Sequence, residues 1–142
     1  MVSQTEPIRP QKVLLAPIDW ERLARAAWEV RNRAHLYGGT AVGAAAMALG
    51  GNIFTGCNVE HRFRSHDVHA EVNAISTMVA NGQKQLVAIL VAAERKRFTP
   101  CGACLDWIFE FGGPDCKVAY QSKQAGQIEI VHAHELMPLY PE

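Results

Sequence analysis

The stretch Gln85-Leu-Val-Ala-Ile-Leu-Val-Ala-Ala93 decides the fold class, together with Gly102-Ala-Cys-Leu-Asp-Trp-Ile-Phe-Glu-Phe111 and Lys117-Val-Ala-Tyr-Gln121 that follow it. The first is a continuous apolar run rich in β-branched residues, which suits a strand buried on both faces. The second has helical composition and is stopped by Gly112 and Gly113, and the third is a second short strand. A strand, a helix and a strand in this order call for parallel pairing through a crossover. Upstream, Ala70 to Ala80 reads as another helix, ended by Asn81 and Gly82.

Further out, Ala41–Leu49 and Ile53–Val59 are apolar runs on either side of Gly50, Gly51 and Asn52, a hairpin signal. Before them, Asp19 is a candidate N-cap for an amphipathic helix whose apolar stripe is Leu23, Ala26, Ala27, Val30 and Ala34. A last strand is expected over Ile128–Val131. The expected order is α, β, β, α, β, α, β, β. The expected fold class is a three-layer α/β/α domain around a mixed, roughly five-stranded sheet, its central strands parallel and its opening hairpin antiparallel.

The chain has 142 residues, 49% of them hydrophobic, enough for one buried core. Residues 18–142 read as a single domain, and residues 1–17, with three prolines and no apolar core, as a flexible arm that is neither signal peptide nor membrane span. Basic and acidic residues balance at 14 each, so no long-range field draws in nucleic acid or an anionic membrane. A small, near-neutral ligand and a cytoplasmic location are expected. In a reducing compartment the cysteines at 57, 101, 104 and 116 are not read as disulfides. Cys57 and Cys116 read as small buried hydrophobes, whereas Cys101 and Cys104 are a Cys-x-x-Cys pair at a helix start.

His69 and Glu71 open one helix, and Cys101 and Cys104 open the next. Both groups stand where strands hand over to helices, the edge at which open α/β sheets place their sites. One imidazole and two thiolates leave a tetrahedral Zn2+ with a fourth position for water. His69 and Glu71 can share a site only if His69 sits at the non-helical edge of the first turn, since residues two apart on a helix point apart. A closed structural zinc using His66 as fourth ligand, in a non-enzymatic interaction module, is the competing reading.

His-x-Glu with Pro-Cys-x-x-Cys is the pattern of zinc-dependent base deaminases, with the glutamate as proton carrier. From about Tyr37 to Pro138 the chain resembles the cytidine deaminase family. The resemblance rests on Ala41-Val-Gly-Ala-Ala45, Thr55-Gly-Cys-Asn-Val-Glu60, His69-Ala-Glu71, Thr99-Pro-Cys-Gly-Ala-Cys104 and Glu135-Leu-Met-Pro138. It implies His69, Cys101 and Cys104 as zinc ligands and Glu71 as the catalytic acid and base. It also implies Asn58 and Glu60 as the pair that grips a sugar hydroxyl, with the Ala70 backbone and the Thr99 carbonyl as contacts to the base and leaving amine.

The activity implied is hydrolysis of cytidine, and of 2′-deoxycytidine, to the uracil nucleoside and ammonia. Blasticidin S deaminases, similar but typically lacking a glutamate at the place of Glu60, give the second reading, and deamination within polynucleotides a third. Thr40 replaces the aromatic residue usual in the family, and Val72 and Leu105 stand where members with three cysteine ligands carry arginines. A homotetramer is implied as well. In tetrameric relatives a C-terminal aromatic residue caps a neighbour's pocket, and Tyr140 is the candidate here.

Overall fold

The computed structural model describes residues 17–141, so the arm expected over residues 1–17 lies, save Pro17, outside the described residues. The elements are α1 (Trp20–Arg31), β1 (Gly43–Ala48), β2 (Ile53–Cys57), α2 (Ala70–Ala80), β3 (Leu86–Ala92), α3 (Gly102–Gly112), β4 (Lys117–Gln121), β5 (Glu129–His132) and α4 (Ala133–Leu136). A single 3₁₀ turn, Arg64–His66, lies between β2 and α2.

The five strands form one sheet in the order β2-β1-β3-β4-β5. β1 is antiparallel to both β2 and β3, β3 and β4 are parallel, and β5 returns antiparallel to β4. The mixed sheet and the antiparallel opening hairpin are as expected, with α4 as an added turn of helix.

Alternation along the strands divides the core in two. Ala44, Ala46, Ile89, Val91 and Val118 face α2, α3 and α4, while Ala45, Met47, Ala88, Leu90 and Ala119 face α1. Both faces of the central strands are therefore dry, which is why β3 carries no polar alternation. On α1 the buried face is Leu23, Ala24, Ala27, Trp28 and Val30, with Asp19 accepting from the Arg22 N–H at 3.1 Å as its cap. Trp28 is buried because its indole N–H finds the Gln121 side chain on β4, 2.6 Å away. Ala26 and Ala34, expected on the stripe, are only half-buried.

Two glycines set the hairpin. Gly51, at φ +98°, makes the turn between β1 and β2. Gly56 on β2 lets α2 approach so closely that a Cβ there would stand 2.4 Å from the Ala74 backbone nitrogen. The helix that carries Glu71 is thus pressed directly onto the sheet. Among the described residues, no helix is long and apolar enough to cross a membrane.

Candidate active site

α2 and α3 begin side by side at one edge of the sheet, and each begins on a candidate ligand. His69 is the N-cap of α2 (φ −79°, ψ 153°) and Cys101 the N-cap of α3 (φ −74°, ψ 175°). Both backbones are extended, and neither side chain caps its own helix. His69 therefore stands at the non-helical edge of its first turn, the condition under which it and Glu71 can address one centre. Cys104 lies one turn into α3 and is fully buried.

His69 Nδ1 is 3.3 Å from Cys104 Sγ and 3.5 Å from Cys101 Sγ, and the three ligand atoms all lie within 4.8 Å of one another. Around a tetrahedral zinc with ordinary bond lengths, nitrogen and sulfur ligands are about 3.6 Å apart. The spacing fits the ion, and so does the chemistry of the donors. Burial, then the charges of Glu71 and Cys101, push the Cys104 thiol well up, so a cation is what would let it ligate as thiolate. His66 is elsewhere: exposed in the 3₁₀ turn, its ring stands edge-on to His61 at 4.9 Å. Among the described residues the potential metal group is His69, Cys101 and Cys104, without His66.

A cavity of about 330 Å³ opens beside this group. Glu71 lines it, 4% exposed, and burial pushes its carboxyl up from the usual range. Asn58, Glu60, Ala70 and Thr99 line the same cavity, so the residues implied for sugar and base stand with the metal group. Asn58 Nδ2 donates to the Thr40 carbonyl at 2.8 Å, and its Oδ1 accepts from the Val42 N–H at 2.9 Å. The amide thereby fastens residues 40–42 to the end of β2. The hydroxyl of Thr40 in turn accepts from the Arg95 guanidinium at 3.0 Å. Tyr140 stands apart from the cavity wall, its ring stacked on Phe109 of α3 at 4.0 Å and 5°.

Arg64, Asp67, Val68 and Phe98 also line the cavity and were not singled out from the sequence. Arg64 pairs with Asp67 at 2.9 Å and with Glu60 at 3.2 Å. The His61 N–H and then Arg64 hold the Asp67 carboxyl below its usual range. Charges at 60, 64 and 67 have the i,i+4 and i,i+3 spacing of paired side chains, but the segment has no helical pattern in which that spacing would stand out. Cys57 is half-buried on β2, Cys116 is in the core, and none of the four cysteines is in a disulfide. Leu105, at the place of a family arginine, is packed in the same core.

The architecture and its histidine–cysteine–cysteine group beside a buried acid define a metal-dependent hydrolytic site on an α/β domain. The family profile described as the cytidine and deoxycytidylate deaminase zinc-binding region matches residues 18–121. The chain belongs to that family, and is a zinc-dependent hydrolytic deaminase. It is 32% identical over 123 residues to a cytidine deaminase of Halalkalibacterium halodurans, covering 85% of this chain and 92% of that protein. The crystal structure of cytidine deaminase from Burkholderia pseudomallei superposes with a TM-score of 0.76 at 31% identity, over 83% of this chain and 95% of that one. That from Mycobacterium leprae superposes at 0.75 and 29%, over 86% and 99%.

Proposed function

We propose that the chain deaminates cytidine and 2′-deoxycytidine, releasing the uracil nucleoside and ammonia, with His69, Cys101 and Cys104 holding zinc and Glu71 carrying the protons. The observation that carries this reading is the buried Glu71 carboxyl in a cavity lined also by His69, Cys101, Asn58 and Glu60, with Cys104 buried behind the same metal group. Bound there, zinc supplies the Lewis acid that makes a water nucleophilic at neutral pH.

Glu71 takes the proton that this water releases and delivers it to N3 of the pyrimidine, which makes C4 electrophilic. After attack it moves the remaining hydroxyl proton to the exocyclic nitrogen, so the C4–N bond breaks with ammonia as leaving group and a carbonyl stays behind. Water and cytidine are consumed and uridine and ammonia formed, with Glu71 returned to its starting state. The backbone at Ala70 and the carbonyl at Thr99 hold the base and the departing amine. Glu60 accepts a hydrogen bond from a sugar hydroxyl that a free base lacks, and Asn58 holds the wall against which the sugar lies.

Ammonia release from cytidine, deoxycytidine, blasticidin S, cytosine and cytidine monophosphate tests the assignment. The nucleosides are expected to react best, and cytosine turned over as well as cytidine would overturn it. Glu71→Ala is expected to keep its zinc and lose turnover by at least about 10³-fold, and a variant retaining substantial activity would remove the proton-carrying role.

The assembly proposed is a homotetramer in the cytoplasm, where four cysteines outside any disulfide fit a reducing compartment. Its support is the resemblance together with the exposed Leu36, Tyr37, Phe63 and Leu139. In such an assembly Tyr140 would cap a neighbour's cavity on leaving Phe109. Sedimentation gives the mass directly, and a fully active monomer at micromolar concentration would refute the composite site.

A further inference from the structure

Glu60 is a buried acid, 6% exposed, whose two oxygens have separate partners. Oε1 accepts from the N–H groups of Tyr37 and Gly39, and Oε2 pairs with Arg64 at 3.2 Å. Arg64 does not hang free at the other end. Its Nε donates to Asp67 Oδ2 at 2.9 Å, and Asp67 Oδ1 accepts from the His61 N–H at 2.7 Å. The segment from 60 to 67 thus closes on itself through three side chains, and all three line the cavity.

The Arg64 side chain is 53% exposed, so as a contribution to stability this pairing is worth little. Its effect on Glu60 is different, because that side chain is only 7% exposed and has little water to replace a lost partner. With Tyr37 and Gly39 holding Oε1 and Arg64 holding Oε2, the carboxylate plane is fixed at both ends. A guanidinium is a planar fork, and one already anchored through Nε presents its NH2 in a defined direction.

We infer that Arg64, braced by Asp67, is a positioning residue for sugar recognition: it fixes the Glu60 carboxylate so that Oε2 can accept from a sugar hydroxyl, and thereby makes the cavity select nucleoside over free base. This rests on the reading of Glu60 as the hydroxyl acceptor. Arg64 itself touches none of the reacting atoms. Its loss leaves the metal ligands and Glu71 in place and frees one end of the carboxylate to rotate.

The test is calorimetric binding of uridine and of uracil to the zinc-loaded protein and its Arg64→Met, Asp67→Asn and Glu60→Gln variants, with cytidine kinetics alongside. Arg64→Met keeps the apolar stem and removes every donor. It is expected to weaken uridine roughly 10- to 100-fold, the range of a hydrogen bond to a charged group, while uracil binding stays within about twofold. The KM for cytidine rises correspondingly and kcat stays within about threefold. Asp67→Asn weakens uridine in the same direction, and adds nothing once Arg64 is Met, because the two act as one unit.

Arg64→Met binding uridine like the parent, with Glu60→Gln impaired, overturns the inference and leaves the role of Glu60 standing. Glu60→Gln binding uridine like the parent overturns both. Parallel loss of uridine and uracil in Arg64→Met would show a general disturbance of the loop, and likewise overturn it.

Discussion

Replacing Asn58 by Ala strikes at the wall of the cavity before it touches any substrate. Asn58 is 9% exposed, and its amide makes two bonds to the backbone, one to the buried Val42 N–H and one to the Thr40 carbonyl. Truncation leaves a buried donor and a half-buried acceptor unpaired. At about 1 to 3 kcal/mol for the first and about 1 for the second, the loss comes to roughly 2 to 4 kcal/mol. For a chain of this size that lowers the melting temperature by roughly 8 to 15 °C. Urea unfolding of metal-free protein is the appropriate assay, since bound zinc adds stability by mass action and masks part of the difference. Asn58→Asp keeps the acceptor for Val42 but sets a carboxylate against the Thr40 carbonyl, so it too is expected to unfold early. An Asn58→Ala protein within about 0.5 kcal/mol of the parent would refute the reasoning, and a raised KM in that same protein would make the amide a substrate contact alone.

Other outcomes follow from the same geometry. Cys101→Ala and Cys104→Ala are each expected to lose zinc by metal analysis and to melt at lower temperature, because part of the metal's binding free energy stabilises the fold; full occupancy in both would show that the ligands are others. Gly56→Ala places a Cβ 2.4 Å from the Ala74 nitrogen, and because backbone cannot yield locally, α2 must shift. About 1 to 3 kcal/mol of stability and a drop in kcat are expected, read by urea midpoint and by ammonia release. Glu135, whose Oε1 accepts from the His132 N–H at 2.7 Å, has its carboxyl held below the usual range by that bond. Its contribution is therefore present above the ordinary glutamate value of about 4.3 and lost as pH falls through the lower folded value. Glu135→Ala should melt below the parent at pH 7, with the gap closing under acid.

Where local chemistry decides, the sequence reading and the structure coincide. α2 and β4 have the expected bounds, because Asn81 with Gly82 ends the one and Gly112 with Gly113 precedes the other. The metal group was legible because its spacing places both thiols on one helical turn. What escaped depends on partners distant in sequence. Trp28 is buried on account of Gln121, 93 residues on, and β1 starts at Gly43 because Val42 gives its N–H to Asn58. The ring of Tyr140 lies on Phe109, a contact that no periodicity announces. α4, at four residues, is too short for a periodic pattern and is set by the Glu135 bond to its first residue's neighbour, His132.

The two N-caps of the candidate metal group, His69 and Cys101, open helices separated in sequence by the whole of β3, and that has a consequence for how the molecule comes together. Nothing local brings His69 to Cys101, and at 11 residues each their helices depend on packing against the sheet. They converge only when β3 is seated between β1 and β4, and that seating demands the long-range pairings that make a chain slow to fold. A competent metal centre is therefore expected to form late on the folding path, which refolding followed in parallel by zinc uptake and by far-UV signal would check. A chain held short of it, by a defect anywhere in the central sheet, would be starved of zinc even with every ligand intact.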